Sequence, residues 1–257
     1  MCLIAFAWKA HPAYSLIVGA NRDEWHDRPT APAAWWQDYP QILAGRDLEA
    51  GGTWLGISQN GRFAALTNFR DPSQRKSAAP SRGMLVRNFL LDTGTAYDYL
   101  LALRQEASRY QGFNLLAGDG QALYYFGSRI GEILAVPPGV HALSNHTLNE
   151  PWPKVEMAKS ALEAALRAEM PEEARKMAIY KFLSNDAKAA DETLPDTGVG
   201  REWERVLSPA MIETEKYGTR CSTILGISCH RAVTFEEHSR DPSGMVTGIV
   251  THQFTLA

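Results

Sequence analysis

MCLIAFAW at residues 1–8 and YSLIVGANRDEW at residues 14–25 open the chain. Both begin as nearly unbroken apolar runs, the pattern of strands buried on two faces. Between them KAHPAY carries Pro12, a turn former. The pair predicts strands over 2–8 and 14–20, followed by a loop through NRDEWHDRPTAPAAWW. Pairing about a turn at residues 10–12 sets residues 19–21 opposite the start of the chain. The polar cluster Asn21-Arg22-Asp23-Glu24 then lands beside the N-terminus.

Cys2 stands directly behind the initiator methionine, which is generally removed when the next side chain is small. The product would hold a thiol and a free α-amine on one residue. An α-amine titrates at about 7.7–8.0, against about 10.4 for lysine, so a useful fraction is neutral near pH 7. It can take the thiol proton and later protonate a leaving amine. In the neighbouring cluster an aspartate could hold the ammonium, and an arginine could lower the thiol pKa. The same residues also suit a small core cysteine on an edge strand and a solvated turn with a local ion pair.

Further along, TWLGIS and RFAALTNF flank Asn60-Gly61, the pair that a tight primed hairpin turn favours. GMLVRNFLLDTG predicts a helix stopped by glycine, and TAYDYLLALRQEASRYQ one capped by Thr95. GFNLLAG and QALYYFG read as a second hairpin, and VHALSN as a short strand. Val155, Ala158, Leu162, Ala165 and Leu166 recur at helical spacing, and PEEARKMAIYKFLSN opens a helix at Pro171. Residues 186–202 are rich in Asp, Gly and Pro and predict a surface excursion. RCSTILGIS, AVTFEEHS and MVTGIVTHQFTL close the chain as strands. Strands, helices, strands, helices, strands fit two stacked sheets covered by helices, with another mixed α+β topology as the alternative.

The 257 residues are 45% hydrophobic and 21% charged, enough for one large domain, and a single domain over 1–257 is expected. A net charge of −3 with scattered basic residues argues against nucleic acid as a partner. Three cysteines without a C-x-x-C pair, and no H-E-x-x-H, exclude a disulfide framework and the usual zinc signatures. Residues 3–8 lack a basic leader and a cleavage site, and no run approaches the roughly 18 apolar residues of a membrane span. A soluble, cytoplasmic protein without a membrane span is expected. Gly51-Gly52 before Trp54 permits positive φ or close backbone approach and also suits a plain turn. Trp25, Trp35, Trp36 and Trp54 crowd one third of the sequence, as pocket lining or as core. Cys229 and His230 read as adjacent strand residues facing opposite sides, unsuited to holding one metal.

NRDE together with an N-terminal MCLI resembles the NRDE family, also called the transport-and-Golgi-organisation family. GRD…GGTWLGI, ALTNFR, SRG, GFNLL, LSN and YGTRCSTI are similar to further family blocks, so the resemblance spans the chain. It implies an α+β fold, the four-layer αββα sandwich of N-terminal nucleophile hydrolases such as the conjugated-bile-acid hydrolases and penicillin V acylases. Carried across, Cys2 matches the nucleophile and Asp23 the aspartate that contacts its amine. Asn68 resembles the residue whose backbone N–H helps form the oxyanion hole, and Asn145 the one whose side-chain amide completes it. Arg220 resembles the late-strand arginine near the nucleophile. One departure stands out: two residues before the aspartate the hydrolases carry an arginine, where this chain has Asn21. Arg22 would point the opposite way along a strand from Asp23, so it is not expected to replace that arginine.

Two readings follow. In the first, Cys2 hydrolyses an amide or thioester of a small, partly apolar substrate, and no cofactor is needed. In the second, the same cleft carries a ligand; the resemblance implies haem, or an acyl-CoA or lipid, although no Cys-Pro dipeptide supports haem. Asn21, Arg22, Glu24, Trp54 and Arg70 are the candidate ligand-binding residues for a small molecule. The oligomeric state is not legible.

Overall fold

The structure is a computed structural model that describes residues 2–74, 76, 78–167 and 170–257. The chain divides into two compact units. One comprises Met1–Asp27, Pro138–Ser144 and Leu148–Thr255; the other comprises Arg28–Pro137, Asn145–Thr147 and Leu256–Ala257.

The first unit is built on an antiparallel sheet. β1 (Cys2–His11) and β2 (Tyr14–Trp25) form the N-terminal hairpin. The second unit contributes β3 (Thr30–Trp35), β4 (Ile42–Asp47), β5 (Leu55–Ser58), β6 (Phe63–Asn68), β7 (Phe113–Gly118), β8 (Leu123–Gly127) and β9 (Ile133–Ala135). Back in the first unit, β10 (Gly139–Leu143), β11 (Tyr217–Ser228), β12 (Ala232–Arg240) and β13 (Val246–Thr255) complete a six-stranded sheet in the order β10-β1-β2-β11-β12-β13. The helices are α1 (Gly83–Leu91) and α2 (Ala96–Glu106) in the second unit, and α3 (Pro153–Ala165), α4 (Glu172–Leu183) and α5 (Arg201–Val206) in the first.

Alternation along β1 decides which side chains meet the helices. Leu3, Ala5 and Ala7 pack with Val155, Ala158 and Leu162 of α3 and with Ile179 and Phe182 of α4. Cys2, Ile4 and Phe6 lie on the opposite face, which is buried as well. A strand covered on both faces needs apolar side chains at every position, and this is why the run lacks a polar–apolar alternation. Gly19 has no Cβ to meet Ile179 Cγ2, which would lie 2.6 Å from one, so α4 can seat closely on β2.

The second unit is a seven-stranded antiparallel meander, β3 to β9 in chain order. Its core joins Ile42, Ala64, Leu66 and Leu115 on the sheet to Leu85, Val86, Phe89 and Leu90 on α1 and Leu100 and Leu103 on α2. Each unit therefore has one β layer and one α layer, and the expected α+β class with two sheets and paired helices is what the chain adopts.

Several local expectations hold and others need correction. Thr95 caps α2, its hydroxyl accepting from the Asp98 N–H at 3.1 Å. α1 ends at Leu91, before Gly94, because Asp92 is extended and its carboxylate accepts the Gly94 N–H at 2.7 Å. The Asn60-Gly61 hairpin is not a two-residue primed turn. Only Gly61 takes positive φ, +87°, and the Ser58 N–H donates to the Arg62 carbonyl at 2.9 Å. That is a three-residue loop with a bulge at the glycine. Residues 30–35, read as loop, form a strand, residues 42–47 form another that the sequence reading did not assign, and α5 begins where the surface excursion of 186–202 ends. Cys229 and His230 lie in the turn after β11, not in a strand. Among the described residues no helix is long and apolar enough to cross a membrane.

Candidate functional site

The polar cluster is part of β2 itself, which runs through to Trp25. Antiparallel pairing puts Arg22 directly across from Cys2 on β1 and from Cys221 on β11. Residues paired in this way share a face, so Arg22 sits in a row between two buried thiols. Glu24, two residues on, shares that face and holds a carboxylate oxygen 3.9 Å from the Arg22 guanidinium.

Asp23 points to the other face. It pairs with Thr219, whose hydroxyl donates to Asp23 Oδ1 at 2.7 Å. The Tyr217 hydroxyl donates to the Asp23 carbonyl at 3.1 Å, fixing the backbone on either side of the carboxylate. Arg220 falls at a break in register between Thr219 and Cys221, and its Nη1 donates to the Trp25 carbonyl at 2.8 Å. Burial lowers its pKa, and the neighbouring Arg22 guanidinium lowers it further. Ser144 donates from its hydroxyl to the Cys2 carbonyl at 3.3 Å.

The charge environment of Cys2 is mixed. Burial pushes the thiol above its ordinary value and the Asp23 carboxylate adds to the rise; the Asp23 backbone N–H and the Arg22 guanidinium act in the opposite sense. Burial, followed by Glu237, drives Cys221 up much further. Met1 lies outside the described residues.

Asn21 has a different place from that expected of a ligand-binding residue. Its Nδ2 donates to the Leu183 carbonyl at 2.7 Å and the Ala210 carbonyl at 2.8 Å, and its Oδ1 accepts from the Ser222 hydroxyl at 2.7 Å. Both amide hydrogens are thus used inside the fold, on the face that carries α4. Arg240 extends the network through Nε to Ser222 at 3.0 Å and through Nη2 to Ser184 at 2.8 Å.

In the second unit Asn68, Arg70 and Asn145 form their own cluster. Asn145 Nδ2 donates to the Asn68 carbonyl at 3.0 Å, the Arg70 N–H donates to the Asn145 carbonyl at 2.7 Å, and Arg70 Nη2 donates to Asn145 Oδ1 at 3.3 Å. A guanidinium only donates, so this contact fixes the orientation of the Asn145 amide. Trp54 is buried ahead of β5, its carbonyl accepting from the Leu66 N–H at 2.8 Å. Gly51 takes φ +73°, and a Cβ on Gly52 would lie 2.4 Å from the Gly83 carbonyl carbon. Of the tryptophans, Trp36 is core and Trp25 is half-exposed.

Thr219, Cys221 and Ser144 were not singled out by sequence reasoning. The first two flank Arg220 in the block YGTRCSTI, and strand alternation through that block would have found them. Among the described residues, no group of three or more His, Cys, Asp and Glu side chains is placed to hold a metal ion.

The family model for Transport and Golgi organisation 2 matches residues 1–242. The chain is 37% identical over 281 residues to the Transport and Golgi organization protein 2 homolog of Bos taurus, covering 100% of this chain and 99% of the relative. The Homo sapiens homolog is 37% identical over 279 residues with the same coverage. Among solved structures the chain is similar to a Caenorhabditis elegans N-acylethanolamine-hydrolyzing acid amidase ortholog, at TM-score 0.48 and 10% identity, covering 87% of this chain and 92% of that one. With a family model over nearly all its length and relatives matched end to end, the chain belongs to the Transport and Golgi organisation 2 family, for which NRDE is another name.

Proposed function

We propose that Cys2, once the residue before it is removed, is the nucleophile of an amide or thioester hydrolysis on a small, partly apolar substrate. The sulfur bonds to the carbonyl carbon, and the thiol proton passes to the α-amine of the same residue. The tetrahedral oxyanion collapses, expelling an amine or thiol that takes that proton. Water then cleaves the acyl–Cys2 thioester and restores the thiol. Asp23 holds the α-ammonium, and Arg22 favours the thiolate. Asn68 and Asn145 are the proposed donors to the oxyanion, in keeping with the resemblance of their motifs.

One observation carries this reading: a cysteine at the first position of β1 with an arginine directly across the pairing and an aspartate next to that arginine. A second reading, a carrier that binds an apolar ligand such as haem or an acyl-CoA or lipid without turnover, is favoured by the burial of the Cys2 side chain. Turnover of short acyl amides and acyl thioesters by the purified chain and by Cys2→Ala separates the two. Alanine is also small enough to permit methionine removal. Hydrolysis requires Cys2→Ala to lose more than about a thousandfold in kcat. A carrier requires no turnover in either protein and equal ligand affinity in both.

A further inference from the structure

An open β-edge invites another strand, and folded proteins usually blunt their edges with short strands, prolines, bulges or covering groups. Among the described residues, three of the four sheet edges are blunted. β9 is only three residues long. β3 carries Pro32 and a break in register between Ala31 and Ala34. β10 is stapled on its outer side: the Asn149 N–H donates to the Ala142 carbonyl at 2.9 Å, and the Ala142 N–H donates to Asn149 Oδ1 at 3.0 Å. Asn149 adopts φ +60° to do so.

Among the described residues, the fourth edge, β13, shows none of these devices over Thr247–Thr251. It is ten residues long, has β12 as its strand neighbour and lies last in its sheet. VTGIVTHQFT contains no Pro, Lys, Arg, Asp or Glu. Val246 is 42% exposed, Ile249 58%, and the preceding Met245 66%. Gly248 has nothing within 4 Å of the place a Cβ would take. The one break in register with β12 lies at the start of the strand, between Ser239 and Arg240.

We propose that β13, chiefly through Thr247–Thr251, pairs antiparallel with β13 of a second copy of this chain and joins two six-stranded sheets across a two-fold axis. Two features select this occupant. A second copy offers no other edge free to pair, since β3, β9 and β10 are blocked in it too. Thr247–Thr251 holds no acidic or basic side chain, so it meets no like charge when it faces itself and has no charge with which to recognise a charged partner. Two-fold pairing also closes the edge, because each strand occupies the other and no third chain can add.

Light scattering on the size-fractionated full chain, from about 1 to about 100 µM, tests this. The expected mass rises to twice the 28.5 kDa of the chain. The double variant Ile249→Lys and Thr251→Lys, which sets lysines against lysines across the axis, is expected to stay at single-chain mass throughout, with unchanged far-UV circular dichroism. Should that variant fold poorly, hydrogen exchange on the unaltered protein replaces it: amides of residues 247–251 slow as concentration rises. A single-chain mass at the highest concentration overturns the proposal, as do a double-lysine variant that dimerises equally well, open-ended assemblies, or exchange at 247–251 that ignores concentration.

Discussion

At Cys2 several influences act on one sulfur. Burial and the Asp23 carboxylate raise its pKa, while the Asp23 N–H and Arg22 lower it, and burial is the largest. Arg22 is the one full positive side-chain charge paired across from the thiol. Arg22→Met is therefore expected to move the pH profile of iodoacetamide labelling at Cys2 upward and to slow labelling at pH 8 by about three- to tenfold. An unchanged profile would mean that the guanidinium does not reach the sulfur. Asn21 makes the opposite kind of contribution. Its amide ties β2 to two carbonyls and a serine, so Asn21→Ala leaves buried partners unsatisfied and should cost about 3 kcal/mol in urea unfolding. In the second unit, Asn145→Ala is expected to lower kcat by about 10²–10³ if its amide serves the oxyanion. The types at these positions were legible in the sequence. What Asn21 bonds to was not, since Ser222 lies 201 residues away along the chain.

Element by element, periodicity revealed the segments with long apolar signatures. The N-terminal hairpin and the helix pairs read correctly because each buries a continuous apolar stripe; the closing strands were legible from their β-branched runs, although β13 is exposed or half-buried throughout. β3 and β4 escaped because TAPAAW and ILAGRD are short, and one holds a proline. β2 proved longer than its apolar run, since Asn21 and Arg22 are paired on both sides by β1 and β11, and Asp23 and Glu24 by β11. The Gly51-Gly52 pair is a point of close approach as well as a turn. A methyl group at Gly52 collides with backbone at the start of α1, so Gly52→Ala should cost about 2–3 kcal/mol in denaturant unfolding, against about 1 for Gly51→Ala. The turn of the N-terminal hairpin adds a pH dependence. His11 Nε2 faces Arg175 Nη2 at 3.2 Å and its Nδ1 accepts from the Ala13 N–H at 3.1 Å, with the Tyr14 ring 5.4 Å away. Burial, then Arg175, lowers its pKa below the ordinary 6.5. The folded state refuses a proton that the unfolded chain accepts, so stability is intact above that ordinary value and falls as pH drops below it. The thermal midpoint should decline less between about pH 7.5 and 5.5 in His11→Gln than in the unaltered chain; an equal decline would place the acid sensitivity elsewhere.

Over the whole molecule, the class was readable from element order, whereas the pairing of the N-terminal hairpin with β10 and β11 was not, because it joins segments more than a hundred residues apart. Local patterns fix what a segment becomes, and long-range partners decide which side chains it gathers. Processing at the chain's start is likewise a whole-molecule event, because it decides whether Cys2 has an α-amine to act through. The most direct measurement is the intact mass and peptide map of the protein from its native host after iodoacetamide, taken alongside its turnover of acyl amides and thioesters. Loss of Met1, an adduct on residue 2 and proportional loss of turnover are predicted. Retained Met1, or turnover that survives full modification of Cys2, would contradict an N-terminal nucleophile.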